Sequence, residues 1–377
     1  MNYENIDLLI AGAGPVGCVI AERAASQLGW RCLIVDKRDH IAGNCYDYLD
    51  ADGLLVHQYG PHYFRTDNAE VVNYLSKFTA WIPGNYVVKS NINGELYSFP
   101  INLNTLRKFF NRPDLTPETA ELLLEEKREK IDNPKNSEEF VLNRVGRELY
   151  EAFYLNYTLK QWGIHPRDLD PSVCGRIPVR FDEDERYVNH KFKIMPVDGF
   201  SSLFERMLNN PLIDIELNTD YMQLRETVKP RKATVYTGPI DAYFNYKNGK
   251  LPWRSLHFES ESFEEEFHQP CSQINYPNEH DYTRTVEIKH VTRQKHQKTV
   301  VTKEYPRAEG EPYYPVPAPE NNNMYERYRQ IAEHETFMNK VYFGGRLARY
   351  TYINTDEAVL NGLQVFERLK TDFGNAK

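Results

Sequence analysis

The chain has 377 residues, a net charge of −8 from 46 Lys and Arg against 54 Asp and Glu, 41% hydrophobic residues and 13% aromatic residues with 26 Tyr. That length supports two or three cores and the composition excludes a disordered or fibrous chain. No apolar run approaches the roughly 18 residues of a membrane span, and the acidic balance argues against a broad nucleic-acid surface, leaving any anionic ligand to a local cluster of arginines.

In chain order, Met1 is followed by polar Asn2, Tyr3, Glu4 and Asn5 and not by a signal peptide, so a cytoplasmic protein is expected. Residues 6–10 form a short apolar run. Gly12-Ala13-Gly14-Pro15-Val16-Gly17 comes next, then a helical pattern through Val19, Ile20 and Ala24, then Cys32-Leu33-Ile34-Val35 ending at Asp36. This is a βαβ unit. Gly12, Gly14 and Gly17 sit where strand turns into helix, so that backbone N–H groups can approach a pyrophosphate. Asp36 lies 24 residues after Gly12, about where an acid bonds a ribose hydroxyl. The fingerprint does not by itself separate NAD from FAD. Between residues 104 and 163 the pattern is helical: Thr116-Pro117 reads as a cap with Pro at the first helical position, and Leu142, Val145, Leu149 and Phe153 recur at spacings of three and four. The acids of the 163–189 segment (Asp168, Asp170, Asp182, Glu183, Asp184, Glu185) read by default as a solvated face. Residues 233–238 and 340–345 are short strands ending in glycine, placed to return to the first sheet. From Arg284 the text alternates and resumes at Thr299 as a hairpin, on which Lys289, Arg293, Lys295 and Lys298 read as solvated. The scattered Cys18, Cys32, Cys45, Cys174 and Cys271 carry no CxxC pair and suggest neither a disulfide framework nor a metal site.

Further blocks settle what the fingerprint leaves open. Asp36-Lys37-Arg38-Asp39-His40-Ile41-Ala42-Gly43-Asn44, His57-Gln58-Tyr59-Gly60-Pro61-His62, Phe99-Pro100-Ile101-Asn102, Tyr157-Thr158-Leu159-Lys160-Gln161-Trp162-Gly163, Arg176-Ile177-Pro178, Tyr282-Thr283-Arg284, Pro312-Tyr313-Tyr314-Pro315 and Phe343-Gly344-Gly345-Arg346 together resemble the UDP-galactopyranose mutases, over nearly the whole chain and in the family's order. The resemblance implies an α/β protein: an FAD-binding Rossmann-like domain (1–85, 196–245 and 335–377), a helical insert domain (103–175), and an antiparallel sheet domain with a mobile lid loop (86–102, 176–195 and 246–334). It implies a flavoenzyme, active with reduced FAD, that interconverts pyranose and furanose forms of a nucleotide sugar without net redox change and so supplies furanose for surface polysaccharide. In that family N5 of the reduced flavin attacks the anomeric carbon, and the protein supplies position and charge. No metal is implied. Bacterial members are often dimers, so a homodimer is expected.

Carried over position by position, the resemblance gives cofactor contacts to Gly12, Gly14, Gly17, Asp36, Arg38, Gly43, Asn44, His62, Gly238, Gly345 and Arg346, the last as a charge near the flavin ring or its phosphates. Arg176 and Arg284 take the family's positions for holding the diphosphate, where a planar guanidinium fork compensates developing charge. Arg176, Arg284 and His62 are thus the candidate catalytic residues, with Arg176 delivered by the lid. Tyr187, Tyr314 and Tyr352 match tyrosines near the diphosphate or sugar, Tyr157 and Trp162 the floor of the sugar pocket, and Phe153 a ring that stacks on the base.

Five positions depart from the family. Arg65 stands where a second histidine is usual, Asn156 where glycine is usual, Asn354 where aspartate is common, Ala42 for a glycine of the flavin motif, and Val188 where an aromatic is frequent. Arg65, Asn156 and Val188 fall where the sugar is expected, so they bear on which sugar is bound. Arg65 brings five fixed donors and suits an acetamido carbonyl, the alternative being a structural pair with an acid. UDP-galactopyranose and UDP-N-acetylgalactopyranose therefore stand beside a dTDP-6-deoxyhexose such as dTDP-fucopyranose. An amine-oxidase-like FAD oxidoreductase, which shares the fingerprint, gives no reason for Arg176 and Arg284, and a flavin- or nucleotide-binding protein without turnover gives none for the 157–162 block.

Overall fold

The computed structural model describes residue 3 and residues 5–374. They form two compact units: residues up to Gly84 with His190–Pro252 and residues from Asn322 onward, and Asn85–Asn189 with Trp253–Asn321.

In the first unit, strands Leu8–Ala11, Cys32–Val35 and Ala233–Tyr236 are buried at every residue, which is why they read as continuous apolar runs and not as alternating ones. They are the middle of a five-stranded parallel sheet in the order Ile213–Glu216, Cys32–Val35, Leu8–Ala11, Ala233–Tyr236, Val341–Phe343. The two glycine-terminated strands do return to the first sheet. Helix Pro15–Leu28 packs on this sheet and on helix Thr355–Gly374; a Cβ at Gly362 would come within 2.8 Å of Val19, so only glycine permits that approach. A small antiparallel sheet places Phe192–Pro196 between Phe64–Thr66 and Trp81–Pro83. The strand Phe192–Pro196 thus pairs within the first unit, although its sequence position had suggested the sheet domain.

The second unit holds a seven-stranded sheet in the order Tyr314–Pro315, Trp253–Phe263, Thr299–Arg307, Arg284–Val286, Gln273–Asn275, Val88–Ile92, Glu95–Phe99. It is antiparallel except where Gln273–Asn275 runs parallel to Val88–Ile92. Helices Leu103–Phe109, Pro117–Lys127, Ser137–Val145 and Asn156–Trp162 belong to the same unit. Thr116 caps Pro117–Lys127 with a reciprocal Thr119 bond, as the Thr-Pro pair indicates. A π-helical turn, Tyr150–Leu155, runs into Asn156–Trp162, which Gly163 ends in the left-handed conformation at φ 65°.

The 284–305 hairpin exists, with Arg284 opposite Glu304, but its connection contains a short helix, Lys289–Thr292. The longer partner of Thr299–Arg307 is Trp253–Phe263, paired over nine residues from Ser255↔Arg307 to Phe263↔Thr299. Lys289 corrects the expectation of a solvated hairpin. It is 4% exposed, and its ammonium donates to the carbonyls of Glu266 (2.7 Å), Lys298 (2.9 Å) and His296. A buried ammonium needs such acceptors, and here they are backbone carbonyls, two from its own connection and one from the connection between Trp253–Phe263 and Gln273–Asn275.

Candidate active site

In a parallel sheet the carboxyl ends lie along one edge. Four adjacent strands end there on candidate residues: Asp36, Gly12, then Thr237 and Gly238, then Gly344, Gly345 and Arg346. Gly12 has φ 110°, and a Cβ there would lie 2.0 Å from Thr237 Oγ1; a Cβ on Gly17 would lie 2.0 Å from the Gly12 carbonyl oxygen. Those two glycines are required by the chain itself. Gly14 is different, because the nearest atom to a Cβ placed there is Gly43 Cα, at 3.8 Å. Gly14 is the N-cap of Pro15–Leu28 and no side chain caps it, nor does the first turn hold an acid. The first-turn amides and the positive end of the helix dipole are thus left to an anionic ligand.

The 36–44 block is folded onto this turn. Asp36 accepts from the N–H of Ala13 at 2.7 Å and of Arg38 at 2.9 Å. Arg38 donates to Asn44 Oδ1 at 3.0 Å and lies 4.3 Å from the Tyr59 ring centroid. Gly43, at φ 56°, brings its Cα so close that a Cβ would sit 2.9 Å from Gly14 Cα. At the neighbouring strand ends, a Cβ on Gly238 would meet the Tyr236 hydroxyl at 2.6 Å, and the Gly345 N–H donates to Asn361 Oδ1 at 2.8 Å. An uncapped helix start, close-packed glycines and a carboxylate fit a dinucleotide such as FAD.

His62 is half-buried and pairs with buried His57. Its N–H donates to His57 Nδ1 at 3.2 Å, and its own Nδ1 lies 3.0 Å from the Gly60 carbonyl oxygen. These bonds put the His62 proton on Nδ1 and the His57 proton on Nε2. His57 Nε2 is 3.9 Å from Asp47, whose carboxylate accepts from the N–H of Phe200 (2.6 Å) and Ser201 (2.7 Å). Burial pushes His57 down to about 4. Burial also pushes His62 down to about 3, with the charges of His57 and Arg346 acting the same way. Both rings are neutral at neutral pH. His57 and Asp47 had not been singled out from the sequence; the apolar strand neighbours gave no sign that they would be brought together.

Arg65, on the strand Phe64–Thr66, directs Nη2 at Asn354 Oδ1, 3.4 Å away. Two of the family departures therefore meet, and the contact is to a neutral amide and not to a carboxylate. Ala42 adopts φ 69°, a conformation that suits the glycine usual there. Tyr352 is 41% exposed and lies on this unit.

On the second unit, Arg284 forms a two-pronged ion pair with Glu304: Nε to Oε2 at 2.9 Å and Nη2 to Oε1 at 2.7 Å. Glu304 is 1% exposed. Burial opposes the charge on Arg284, and Glu304 more than offsets it, holding the guanidinium far above its ordinary value. Arg284 Nη2 also reaches the Tyr314 hydroxyl at 3.4 Å, and the Tyr314 ring lies 6.1 Å from Trp162. Burial lifts the Tyr157 phenol to about 12, and the charges of Arg284 and Arg176 work against that rise. Tyr157 also interacts with Tyr187, whose ring lies 5.5 Å from Tyr86. The structure thus groups Tyr157, Trp162, Arg176, Tyr187, Arg284 and Tyr314 on one unit. Glu304 was missed in the sequence, and the signal was available in the hairpin register that sets it opposite Arg284.

Phe153 is 2% exposed and packs among Tyr97, Phe99 and Phe109 at 5.7, 6.3 and 5.7 Å, so in this structure it is a core ring. Asn156 donates to Asn278 Oδ1 at 3.0 Å, a contact to the 276–282 loop. Of the 163–189 acids, Asp168, Asp170, Asp182 and Glu183 are exposed as a solvated face requires, Glu183 while pairing with Arg107 at 2.5 Å; Asp184 and Glu185 are half-buried, Asp184 paired with Arg186 at 2.7 Å and Glu185 accepting from Ser98. Arg180, 8% exposed, donates to the carbonyls of Arg186 and Tyr187. Nothing in the structure explains Val188.

The first unit's parallel sheet and glycine turn define a Rossmann-type dinucleotide-binding protein, and residues 10–78 match the model of an NAD(P)-binding Rossmann-like domain. Residues 152–352 match the UDP-galactopyranose mutase family model. The chain is 38% identical to a probable UDP-galactopyranose mutase of Klebsiella pneumoniae, over all of this chain and 97% of the relative. It is 37% identical to a dTDP-fucopyranose mutase of Escherichia coli, over 95% and 96% of the two. The fold matches a crystal structure of reduced UDP-galactopyranose mutase with a TM-score of 0.76 at 15% identity, covering 98% of this chain and 94% of the other. The chain belongs to the UDP-galactopyranose mutase family and is an isomerase of that type. Among the described residues no helix is long and apolar enough to cross a membrane.

Two predictions come from this geometry. Gly14→Ala should leave thermal stability close to wild type yet reduce FAD retained on purification, because the methyl meets no protein atom closer than 3.8 Å and intrudes on the space before the first-turn amides; Gly12→Ala and Gly17→Ala should unfold the chain at lower temperature. Equal FAD content in Gly14→Ala and wild type would remove the glycine turn from the cofactor site. The second concerns acid stability. An unfolded histidine titrates near roughly 6.5, so below that pH the unfolded chain takes up protons that His57 and His62 refuse until about 4 and about 3. Their contribution to stability is complete above pH ~6.5 and is lost as the pH falls toward those values. Urea unfolding between pH 7 and 4 should show a shallower decline for His57→Gln and for His62→Gln than for wild type.

Proposed function

We propose that this chain interconverts the pyranose and furanose forms of a nucleotide sugar, UDP-galactopyranose or a close relative such as UDP-N-acetylgalactopyranose, with FAD bound on the first unit. The observation that carries this reading is the Arg284 fork, held by buried Glu304 amid Tyr157, Tyr314 and Arg176. Two guanidinium groups with phenolic hydroxyls suit a diphosphate whose negative charge grows as it leaves the anomeric carbon.

When bound, reduced FAD supplies the nucleophile, its N5. The chain's own residues then divide the work. Glycine-turn amides and Asp36 hold the dinucleotide, with Arg38, Gly43 and Asn44 fixing that block, while Gly238, Gly345 and Arg346 border the neighbouring strand ends. Neutral His62 presents Nε2 as an acceptor, since Nδ1 donates to Gly60. Arg284 and Arg176 compensate the diphosphate; Tyr157, Trp162, Tyr187 and Tyr314 shape the space around it. Glu304 spends the Nε and Nη2 edges of Arg284 and thereby fixes the direction in which Nη1 points. A cytoplasmic homodimer is part of the same reading.

A second substrate, a dTDP-6-deoxyhexose, is supported by one observation: identity to the dTDP-fucopyranose mutase equals, within a percent, identity to the galactose enzyme. An oxidase reading draws on fold alone, through the putative protoporphyrinogen oxidase from Exiguobacterium at TM-score 0.64 and 13% identity.

The enzyme should be active when treated with dithionite, nearly inert when air-oxidised, and should consume no stoichiometric reductant; equal activity in both states would refute the flavin role. Arg176→Ala should lower the rate on the order of 10²-fold with FAD content and folding intact, since Arg176 is exposed at the end of a short helix. Arg284→Ala should lose rate and stability together, because it strands buried Glu304, a loss of about 3–5 kcal/mol.

Arg65 donates to the Asn354 amide, and its guanidinium carries five donors in a fixed fork that suit a polar sugar substituent. Replacing it with His should shift kcat/KM toward UDP-galactose over UDP-N-acetylgalactosamine and a dTDP-6-deoxyhexose by about 1–3 kcal/mol. An unchanged ratio across the three substrates places Arg65 outside the sugar site.

A further inference from the structure

Lys160 has no part in the chemistry above, yet it stands in the middle of it. It lies on the helix Asn156–Trp162, three residues after Tyr157 and two before Trp162. Its ammonium donates to the backbone carbonyls of Tyr276, Glu279 (2.9 Å), His280 (3.1 Å) and Tyr282 (3.3 Å). An ammonium has three protons, so they are shared among four acceptors, and all four come from the connection between Gln273–Asn275 and Arg284–Val286. That loop closes through the Tyr276 N–H to the Thr283 carbonyl at 2.8 Å, and the Thr283 N–H donates to the Glu304 carbonyl at 2.9 Å. The next residue is Arg284.

Other bonds reinforce the joint. Asn278 donates to the Ala152 carbonyl at 3.1 Å and accepts from Asn156 at 3.0 Å. At the helix end, Arg254 donates to the carbonyls of Gln161 (3.0 Å) and Lys160 (3.3 Å). Four carbonyl dipoles pointing inward repel one another unless a cation sits among them, and a neutral side chain cannot take that place. The ammonium therefore fixes the shape of the loop, and the loop fixes where Arg284 enters its strand relative to Tyr157 and Trp162.

We propose that Lys160 is a positioning residue for the nucleotide-sugar site, setting the spacing of Arg284 from Tyr157 and with it the affinity for a nucleoside diphosphate. The inference rests on the reading that Arg284 and Tyr157 face the diphosphate. Its test uses the full chain with FAD bound and the variants Lys160→Gln and Lys160→Ala, titrated with UDP and with dTDP. Affinity per folded site for the nucleotide that wild type binds should fall tenfold or more in both variants, and KM should rise by more than kcat falls. FAD content should match wild type, because the cofactor residues lie on the other unit. In Lys160→Ala, added methylammonium chloride should restore nucleotide affinity where equal sodium chloride does not. A purely structural lysine would lower the thermal midpoint and the folded fraction but leave the dissociation constant of the folded fraction unchanged; that result overturns the inference. If Lys160→Ala does not fold, Lys160→Gln decides by the same constant. A wild-type enzyme that binds neither UDP nor dTDP overturns the nucleotide-sugar reading, and this inference with it.

Discussion

A helix that starts with no cap of its own is the constraint around which the first unit is organised. Pro15–Leu28 opens at Gly14 with neither a capping side chain nor an acidic first turn, and buried orphan amides are costly unless something accepts from them. The surrounding residues keep the approach clear instead of filling it. Gly12 and Gly17 let strand and helix touch, Gly43 lets the second block lie against Gly14, and Asp36 takes up the Ala13 and Arg38 amides. The neutral histidine pair and the Gly344-Gly345 turn border the same edge. Nearly every candidate cofactor residue is thus explained by one requirement, that helix-start amides stay available to an anion.

The second unit meets a different requirement, that of holding cations in fixed directions. Arg284 is pinned by Glu304 across the strand pair, and Lys160 is pinned by the carbonyls of the loop that leads into Arg284. A guanidinium on a mobile side chain would lose rotamer freedom on binding, which weakens the complex. Here that freedom is already restricted before a ligand arrives. Arg176 differs in being exposed, beside a short helix.

The family departures become more coherent in three dimensions. Arg65 and Asn354, 289 positions apart, share a contact; exchange of a histidine for arginine and of an aspartate for asparagine sets a neutral acceptor against a charged donor. Asn354 directly precedes the helix Thr355–Gly374, and its N–H and side-chain amide both donate to Glu357 at 2.7 and 3.1 Å. Arg65 is thereby tied to a helix start. Asn156, by contrast, faces the 276–282 loop, so its departure bears on the Lys160 joint.

The amino-acid sequence by itself determined the βαβ unit, the returning glycine-terminated strands, the Thr116 cap and the family, because each is written in local spacing: continuous apolar runs for buried parallel strands, fixed glycine offsets for a tight turn, Thr-Pro for a helix start. Only the tertiary structure decided which charges are free and which are committed. Lys289 and Glu185 read as solvated because a charge run has no local mark of its partner, and the Glu266 carbonyl and Ser98 hydroxyl they meet come from other elements' connections or strands. Phe153 read as a stacking ring, and three aromatic neighbours from other elements made it core. Glu304, His57 and Lys160 were given no role for the same reason: a buried ion pair, a histidine pair and a carbonyl cage are made by residues brought together through strand register and loop closure, distances that no spacing along the chain encodes.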